Sequence, residues 1–415
     1  MLFPALADLI KAFHSSEIKR LNIFVVFIQV LKFTELFQFK NYSLCIFAIK
    51  YHDMNAFYAL KIKEIIRETP QAVSLSFEIP LELQDKFSFK AGQYTTLRIP
   101  FEGKEIRRAY SLCSAPNSGE FKVTVKEVPN GSFSALANNK LKAGDVLEVH
   151  PPEGKFIFEP GTIAQNYAAF AVGSGITPVM SIIKSVLSQE PGSKFVLVYG
   201  NRSLDDTIFY KELLELEAKY PDRLFIEFIY SRTREENSQF GRIEKATVNY
   251  VLENKFDDTE FKSFYLCGPE EMIQNVTGIL REKGIREENI LFELFTVKDN
   301  GTNDINVEGE TKLTIVVDDE ETTFSMDRKK TVLEVALDHD LDVPYSCQGG
   351  ICSSCIARIK EGKAEMRKNQ ILTDGEIAEG LILTCQAQPT TPTLTVDYDD
   401  VYPPNPRRGS ISFSQ

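Results

Sequence analysis

Four of the 7 cysteines stand as Cys347-x4-Cys352-x2-Cys355 and, after 29 intervening residues, Cys385. This is the spacing of plant-type [2Fe–2S] ligands. It demands a fold in which one tight loop supplies three thiolates and a distant segment returns with the fourth. The loop, Ser346-Cys347-Gln348-Gly349-Gly350-Ile351-Cys352-Ser353-Ser354-Cys355, holds two glycines. They let the backbone wrap closely and turn N–H groups towards sulfur, which tunes a cluster's potential. Zinc favours paired C-x2-C knuckles, and the chain has one such pair. Disulfides call for a secretory signal, which the sequence does not show. Cys45 and Cys113 read as ordinary buried thiols.

At roughly 100–200 residues per domain, a chain of 415 residues should hold several domains. With 43% hydrophobic and 26% charged residues it falls outside the collagen-like, disordered and disulfide-scaffold classes. It carries 47 Lys+Arg against 59 Asp+Glu, a net charge of −12, which argues against a nucleic-acid partner. The acidity is uneven. Residues 301–415 hold 11 basic and 20 acidic side chains, whereas residues 1–53 hold 6 and 4. A field of one sign on the last quarter suits the steering of a protein partner.

Residues 1–53 differ from the rest, with 8 of the 30 Phe and none of the 23 Gly. The apolar runs Leu21–Leu31 and Leu44–Ile49 are shorter than the ~18 residues of a membrane span. Asp8, Glu17 and Lys19 interrupt any signal-peptide pattern. The segment is expected to be an extension upstream of a start at Met54; an amphipathic interfacial segment is the other reading. The chain is expected to be cytoplasmic, with no integral membrane span.

From Leu60 to about Phe158 the texture is that of strands. Val73–Ile79 alternates with period two, Tyr94–Ile99 and Phe121–Val128 are β-rich, and turns fall at Ala91-Gly92, Asn117-Ser118-Gly119 and Pro129-Asn130-Gly131. A small antiparallel barrel is expected over 54–158. Over 159–297 short apolar runs (Tyr167–Val172, Phe195–Tyr199, Leu224–Tyr230, Phe264–Leu266) alternate with helical stretches (Val179–Leu187, Phe209–Lys219, Glu271–Lys283). That alternation implies a doubly wound parallel sheet. Residues 298–311 read as a linker rich in Gly, Asn and Asp. A third unit follows over 312–400, with strands at Leu313–Val317 and Leu394–Asp397 and a helix near Thr331–His339. Residues 401–415, with Pro-Pro-Asn-Pro, read as a loose tail.

Three further motifs carry chemistry. Arg108-Ala109-Tyr110-Ser111 is expected between two barrel strands. Its guanidinium can pair with a pyrophosphate, its ring can stack on a flavin, and its hydroxyl can reach flavin N5. Gly131-Ser132-Phe133-Ser134 opens a short helix whose N–H groups suit a phosphate. In the parallel half, Ala168–Val172 runs into Gly173-Ser174-Gly175-Ile176-Thr177-Pro178, a strand, a glycine turn and a helix with Pro in its first turn.

These residues resemble the ferredoxin–NADP reductase superfamily of flavoproteins. Its Arg-x-Tyr-Ser/Thr and Gly-x-x-Ser/Thr motifs match at Arg108, Tyr110 and Ser111 and at Gly131 and Ser134, and its Gly-x-Gly-x-x-Pro at Gly173, Gly175 and Pro178. The resemblance implies an antiparallel FAD-binding β-barrel, a doubly wound α/β nucleotide domain and, with the four cysteines, a C-terminal β-grasp [2Fe–2S] ferredoxin domain. It implies FAD contacts from Arg108, Tyr110, Ser111, Gly131, Ser132 and Ser134, and a cofactor contact from Lys126. It implies NAD(P)H contacts from Gly173, Gly175, Thr177, Pro178, Ser231, Arg232, Cys267, Gly268 and Pro269. Cys267-Gly268-Pro269 matches the family's Cys-Gly-Pro, whose thiol lies beside the nicotinamide. Glu293-Leu294-Phe295 resembles a Glu-x-Phe whose carboxylate and aromatic line the hydride-transfer site, so Tyr110, Ser111, Cys267, Glu293 and Phe295 are the expected catalytic set. Ser231-Arg232 favours NADPH over NADH, because hydroxyls and guanidiniums suit a 2′-phosphate where an acid would suit a ribose diol.

The order barrel, nucleotide domain, ferredoxin is similar to that of oxygenase reductase components. Pro344–Cys347 and Leu383–Ala387 resemble those serving phenylacetyl-CoA ring epoxidases, with Gln348 and Gly349 where Arg and Ala are common. The expected acceptor is an oxygenase subunit. A same-build reductase of another oxygenase or of a hybrid-cluster protein, and an electron carrier with a vestigial nucleotide site, are the alternatives.

Overall fold

The computed structural model describes residues 57–101, 104–129, 131–295, 308–369 and 371–401. The leader at 1–53, most of the expected linker and nearly all of the tail lie outside the described residues. Three sheets build the described part, and they belong to one unit of the chain.

The first sheet is antiparallel and has six strands: β1 (Tyr58–Thr69), β2 (Ala72–Glu78), β3 (Tyr94–Phe101), β4 (Lys104–Ser111), β5 (Phe121–Lys126) and β6 (Val146–Val149), in the order β4-β3-β6-β1-β2-β5. A bridge between Leu112 and Val123 joins the two edges and closes the barrel. Alternation buries Leu60, Ile62, Val73, Leu75, Leu97, Val123 and Val125 inside it. One helix, α1 (Ser132–Asn139), packs Phe133 and Ala137 onto this core. The Arg108–Ser111 motif lies within the end of β4 and not between strands. Period-two alternation therefore places Arg108 and Tyr110 on one face.

The second sheet is parallel: β7 (Asn166–Val172), β8 (Lys194–Asn201), β9 (Leu224–Tyr230), β10 (Gln239–Phe240), β11 (Phe261–Cys267) and β12 (Ile290–Glu293), ordered β10-β9-β8-β7-β11-β12. Both faces are covered, by α2 (Ile176–Gln189), α3 (Tyr210–Lys219), α4 (Lys245–Asn249) and α5 (Glu270–Glu282). This is why β7 and β8 read as unbroken apolar runs. Strand order reverses at β7, so a crevice opens at the carboxyl ends of β7 and β11, where doubly wound sheets bind ligands. Phe156 and Phe158, which follow the barrel, are buried in the same cluster as Val179, Ile182 and Tyr265, so barrel and nucleotide domain share a core.

The third sheet is mixed: β13 (Glu310–Val317), β14 (Glu320–Asp327), β15 (Ile356–Met366), β16 (Leu381–Leu383) and β17 (Ala387–Asp397), ordered β14-β13-β17-β15-β16. The β13–β17 pair is parallel and the rest antiparallel. Helix α6 (Val332–Asp338) begins in a capping box, Thr331 accepting from Glu334 N–H while the Glu334 carboxylate accepts from Thr331 N–H. Another box, Thr373 with Glu376, opens α7 (Asp374–Ala378). No helix among the described residues is long and apolar enough to cross a membrane.

Candidate functional site

The carboxyl ends of β11 and β12 meet the end of β4. In the parallel ladder Cys267 stands beside Glu293. The Ser111 hydroxyl donates to Glu293 Oε2 at 2.9 Å. All three side chains are buried. Burial raises the Glu293 carboxyl to about 8, although the Ser111 bond pulls the other way. Burial, and then the nearby Glu293, raise the Cys267 thiol well above its ordinary value. Near neutral pH this corner therefore holds a neutral thiol and a carboxyl poised to carry a proton. Phe295, two residues on, packs against the core shared by barrel and nucleotide domain. Three expected catalytic residues, Ser111, Cys267 and Glu293, are thus brought together from positions far apart in the chain.

Tyr110 leans on Phe133 with ring centroids 5.4 Å apart and planes 36° apart. Its hydroxyl is raised in pKa by burial, while Arg108 acts in the opposite sense. Arg108 is exposed and bonds to the Arg107 carbonyl at 2.7 Å. Gly131 is required at the start of α1, since a Cβ there would lie 2.2 Å from Ser134 Oγ and 3.0 Å from Val128 O. No side chain caps α1, so its first N–H groups remain for a ligand anion. Ser134 is buried and its hydroxyl accepts from Val128 N–H at 3.3 Å, which leaves its own proton to donate.

The glycine turn after β7 approaches the end of β11 so closely that a Cβ on Gly175 would lie 2.1 Å from Cys267 O. Gly268 faces the same crowding from Val172 and Met272. Gly173 adopts φ 58°, and Lys126 Nζ lies 3.7 Å from where its Cβ would be. Lys126 thus reaches from the end of β5 to the nucleotide loop, and burial lowers its pKa. Thr177 is buried, its hydroxyl donating to Ser174 O at 3.0 Å, and Pro178 and Pro269 stand at helix starts.

Ser231 and Arg232 follow β9, two strands from β7, with backbone N–H groups bonded to Asn201 O and Arg202 O. Arg232 is exposed. The side-chain amide of Asn201, at the end of β8, and the Thr233 hydroxyl are buried without a hydrogen bond of ordinary geometry. Buried polar groups are rarely left so. Unsatisfied groups at the carboxyl ends of a parallel sheet fit a nucleotide ligand. Asn201 and the neighbouring Arg202 lie outside every motif that the sequence marks.

The four cluster cysteines come as two pairs. Cys347 and Cys352 lie within hydrogen-bonding reach of one another, as do Cys355 and Cys385. Among the described residues no three His, Cys, Asp or Glu side chains close on one point as a single metal ion would need. Two thiol pairs fit a dinuclear cluster with two ligands per iron. The Cys347 thiol is lowered by its bond with Cys352 and by the N–H groups of Gly349, Ile351 and Cys352. Gly349 N–H points at Cys347 Sγ from 3.4 Å. Gln348 and Gly350 take positive φ, 54° and 71°, which wraps the loop.

Residues 59–158 match the oxidoreductase FAD-binding domain family, residues 170–278 the oxidoreductase NAD-binding domain family, and residues 315–390 the 2Fe-2S iron-sulfur cluster binding domain family. The chain is 35% identical over 352 residues to a component of the 1,2-phenylacetyl-CoA epoxidase of Escherichia coli (strain K12), covering 83% of this chain and 99% of that protein. The chain belongs to this family of FAD- and [2Fe–2S]-dependent reductases. It is also 34% identical over 354 residues to the ferredoxin reductase component of 3-ketosteroid-9-alpha-monooxygenase from Rhodococcus rhodochrous, covering 82% of this chain and 96% of that one. The solved phthalate dioxygenase reductase shares the fold, with TM-score 0.53 and 24% identity over 82% of this chain and 98% of that chain. An intact type IV self-sufficient cytochrome P450 monooxygenase does so as well, with TM-score 0.62 and 20% identity over 82% of this chain and 41% of that chain.

As a reductase of this family the protein is an oxidoreductase with a FAD-binding domain, a nucleotide-binding domain and a [2Fe–2S] domain. The barrel corner at Ser111 and the crevice at Gly175 adjoin through Glu293 and Cys267. This arrangement can hold a nicotinamide against a flavin and exclude water from the space between.

Proposed function

We propose that the protein oxidises NADPH and passes the electrons singly to an oxygenase, and that this oxygenase is a phenylacetyl-CoA ring epoxidase. The observation that carries the reading is the 35% identity to the epoxidase component across 99% of its length, with all three modules in one order. A flavin beside an iron–sulfur cluster supplies the conversion of a two-electron donor into one-electron deliveries.

The chain's own residues supply position and proton handling. Gly173, Gly175 and the start of α2 would cradle the nucleotide phosphates, with Lys126 as counter-charge. Ser231 and Arg232 would hold the 2′-phosphate, and Cys267 would face the nicotinamide. Tyr110, Arg108 and α1 would seat FAD. Ser111 would hold the flavin edge, and Glu293, neutral below about pH 8, would exchange a proton through it. Cys347, Cys352, Cys355 and Cys385 would hold the cluster.

The test is reconstitution. Under anaerobic conditions NADPH should bleach the flavin and then the cluster. With purified epoxidase oxygenase subunits, NADPH consumption should then depend on phenylacetyl-CoA. Bleaching without that dependence would leave the reductase class standing and discard the acceptor. A 3-ketosteroid oxygenase serves as the comparison partner, because the similarity to that reductase is nearly as high.

A further inference from the structure

We propose that Tyr94 is a positioning residue for electron passage from flavin to cluster, its buried hydroxyl fastening the cluster loop to the strand that pairs with Ser111. This inference rests on the flavin and cluster positions proposed above.

Tyr94 opens β3 and stands opposite Ser111 in the β3–β4 ladder. Its ring is 4% exposed. A Cβ on Gly154 would lie 3.0 Å from two of its ring carbons, so backbone sets where the ring lies. The hydroxyl is 3.1 Å from Ser354 Oγ and 3.3 Å from Ser353 Oγ. Ser354 donates its own proton to Glu153 Oε1 at 2.7 Å, so it accepts from Tyr94. Glu153 and Tyr94 are in turn joined by two backbone hydrogen bonds of 2.9 Å. Two residues along β3, Thr96 donates to Ser346 Oγ at 3.1 Å.

Ser353 and Ser354 lie between Cys352 and Cys355, and Ser346 precedes Cys347. The barrel therefore grips the ligand loop at both ends. Arg107 extends the seam, 3.6 Å from Asp342 and stacked 4.2 Å over the Tyr345 ring. From Cys267 a continuous line of contacts runs through Glu293, Ser111 and Tyr94 to Ser354. Electron transfer weakens steeply as the gap between centres grows. A support held by buried, directional bonds keeps that gap short.

The step moves one electron from reduced flavin to the cluster. Each NADPH gives a hydride, so two such steps and one released proton balance one nicotinamide oxidised. A one-electron acceptor must clear the cluster between them.

The experiment uses the full-length holoprotein with Tyr94→Phe, the pair Ser353→Ala/Ser354→Ala, and all three substitutions together, mixed anaerobically with NADPH. Flavin bleaching should stay within about twofold of the wild type. Cluster bleaching should slow by about tenfold or more in each variant, and by no more in the combination. Iron content and the cluster midpoint potential should be unchanged, while amide hydrogen exchange over 346–355 quickens. Those outcomes separate positioning from tuning of the potential or loss of the fold. Cluster bleaching at the wild-type rate, or effects that multiply in the combination, would overturn the proposal while leaving the reductase reading intact. A wild-type flavin unresponsive to NADPH would overturn both. Should Tyr94→Phe not fold, the serine pair decides alone.

Discussion

The hydroxyl of Ser111 donates to the carboxyl of Glu293 across 2.9 Å, joining the end of the barrel to the last strand of the nucleotide domain, 182 residues further along the chain. Both residues are buried. One bond thus ties together the surfaces that would hold the two redox rings, while burial keeps the carboxyl between them protonated against the opposing pull of that bond.

Ser111→Ala removes that donor. FAD content should be unchanged, and single-turnover flavin reduction by NADPH should slow at least about tenfold, equivalent to roughly 1.4 kcal/mol of barrier. An unchanged rate in rapid mixing would remove Ser111 from the hydride-transfer site.

Glu293→Gln tests the buried proton. The folded carboxyl is raised from 4.5 to about 8, so the native state holds a proton that the unfolded chain has lost. Stability from this group therefore falls as pH rises from about 4.5 to about 8, and is flat beyond. The amide carries no such cost. The variant should match the wild type near pH 4.5 and melt roughly 5 °C or more above it at pH 8.5. Parallel pH profiles of the two melting temperatures would show that Glu293 does not keep its proton.

Arg232→Ala should raise KM for NADPH by about tenfold or more and leave kcat and the kinetics with NADH nearly untouched, because a guanidinium there would meet only the 2′-phosphate. A matching loss with NADH would place Arg232 outside that role.

Cys385→Ser should abolish the cluster's visible absorption and its electron paramagnetic signal. Reduction of ferricyanide by NADPH through the flavin should persist, since the buried residues of the barrel and nucleotide cores all precede the third sheet, and the cluster loop adds only Ile351 at the edge of one of them. Joint loss of both activities would show that the ferredoxin domain supports the flavin site.

Two glycine substitutions should have opposite effects. Gly175→Ala would drive a methyl to 2.1 Å from the Cys267 carbonyl, which is backbone and cannot yield, so NADPH affinity and melting temperature should both drop. Gly278, inside α5, has nothing within 4 Å of its missing Cβ. Gly278→Ala should stabilise by about 0.5–1 kcal/mol. Equal melting temperatures for the two variants would contradict the close approach of the glycine turn to β11.

The sequence by itself determined the parts of this protein that are local. The cysteine spacing, the Gly173-Ser174-Gly175 turn before a helix-starting Pro178, Cys267-Gly268-Pro269 and the alternating or continuous apolar runs each express a constraint met within a few residues of chain. They marked the cluster ligands, the antiparallel and parallel halves and their order, and they carried the family resemblance that implied the flavin and nucleotide chemistry. The tertiary structure alone decided which strand ends meet. Cys267 stands beside Glu293 through sheet order, Ser111 finds Glu293, and Tyr94 finds Ser354 from 260 residues away. It also set the Ser134 hydroxyl against the Val128 N–H and buried the Asn201 side-chain amide at the end of β8 without a partner of ordinary geometry. No periodicity encodes these relations. They depend on how the three sheets pack against one another, and that packing is fixed by side chains brought together from distant parts of the chain rather than by neighbours in sequence.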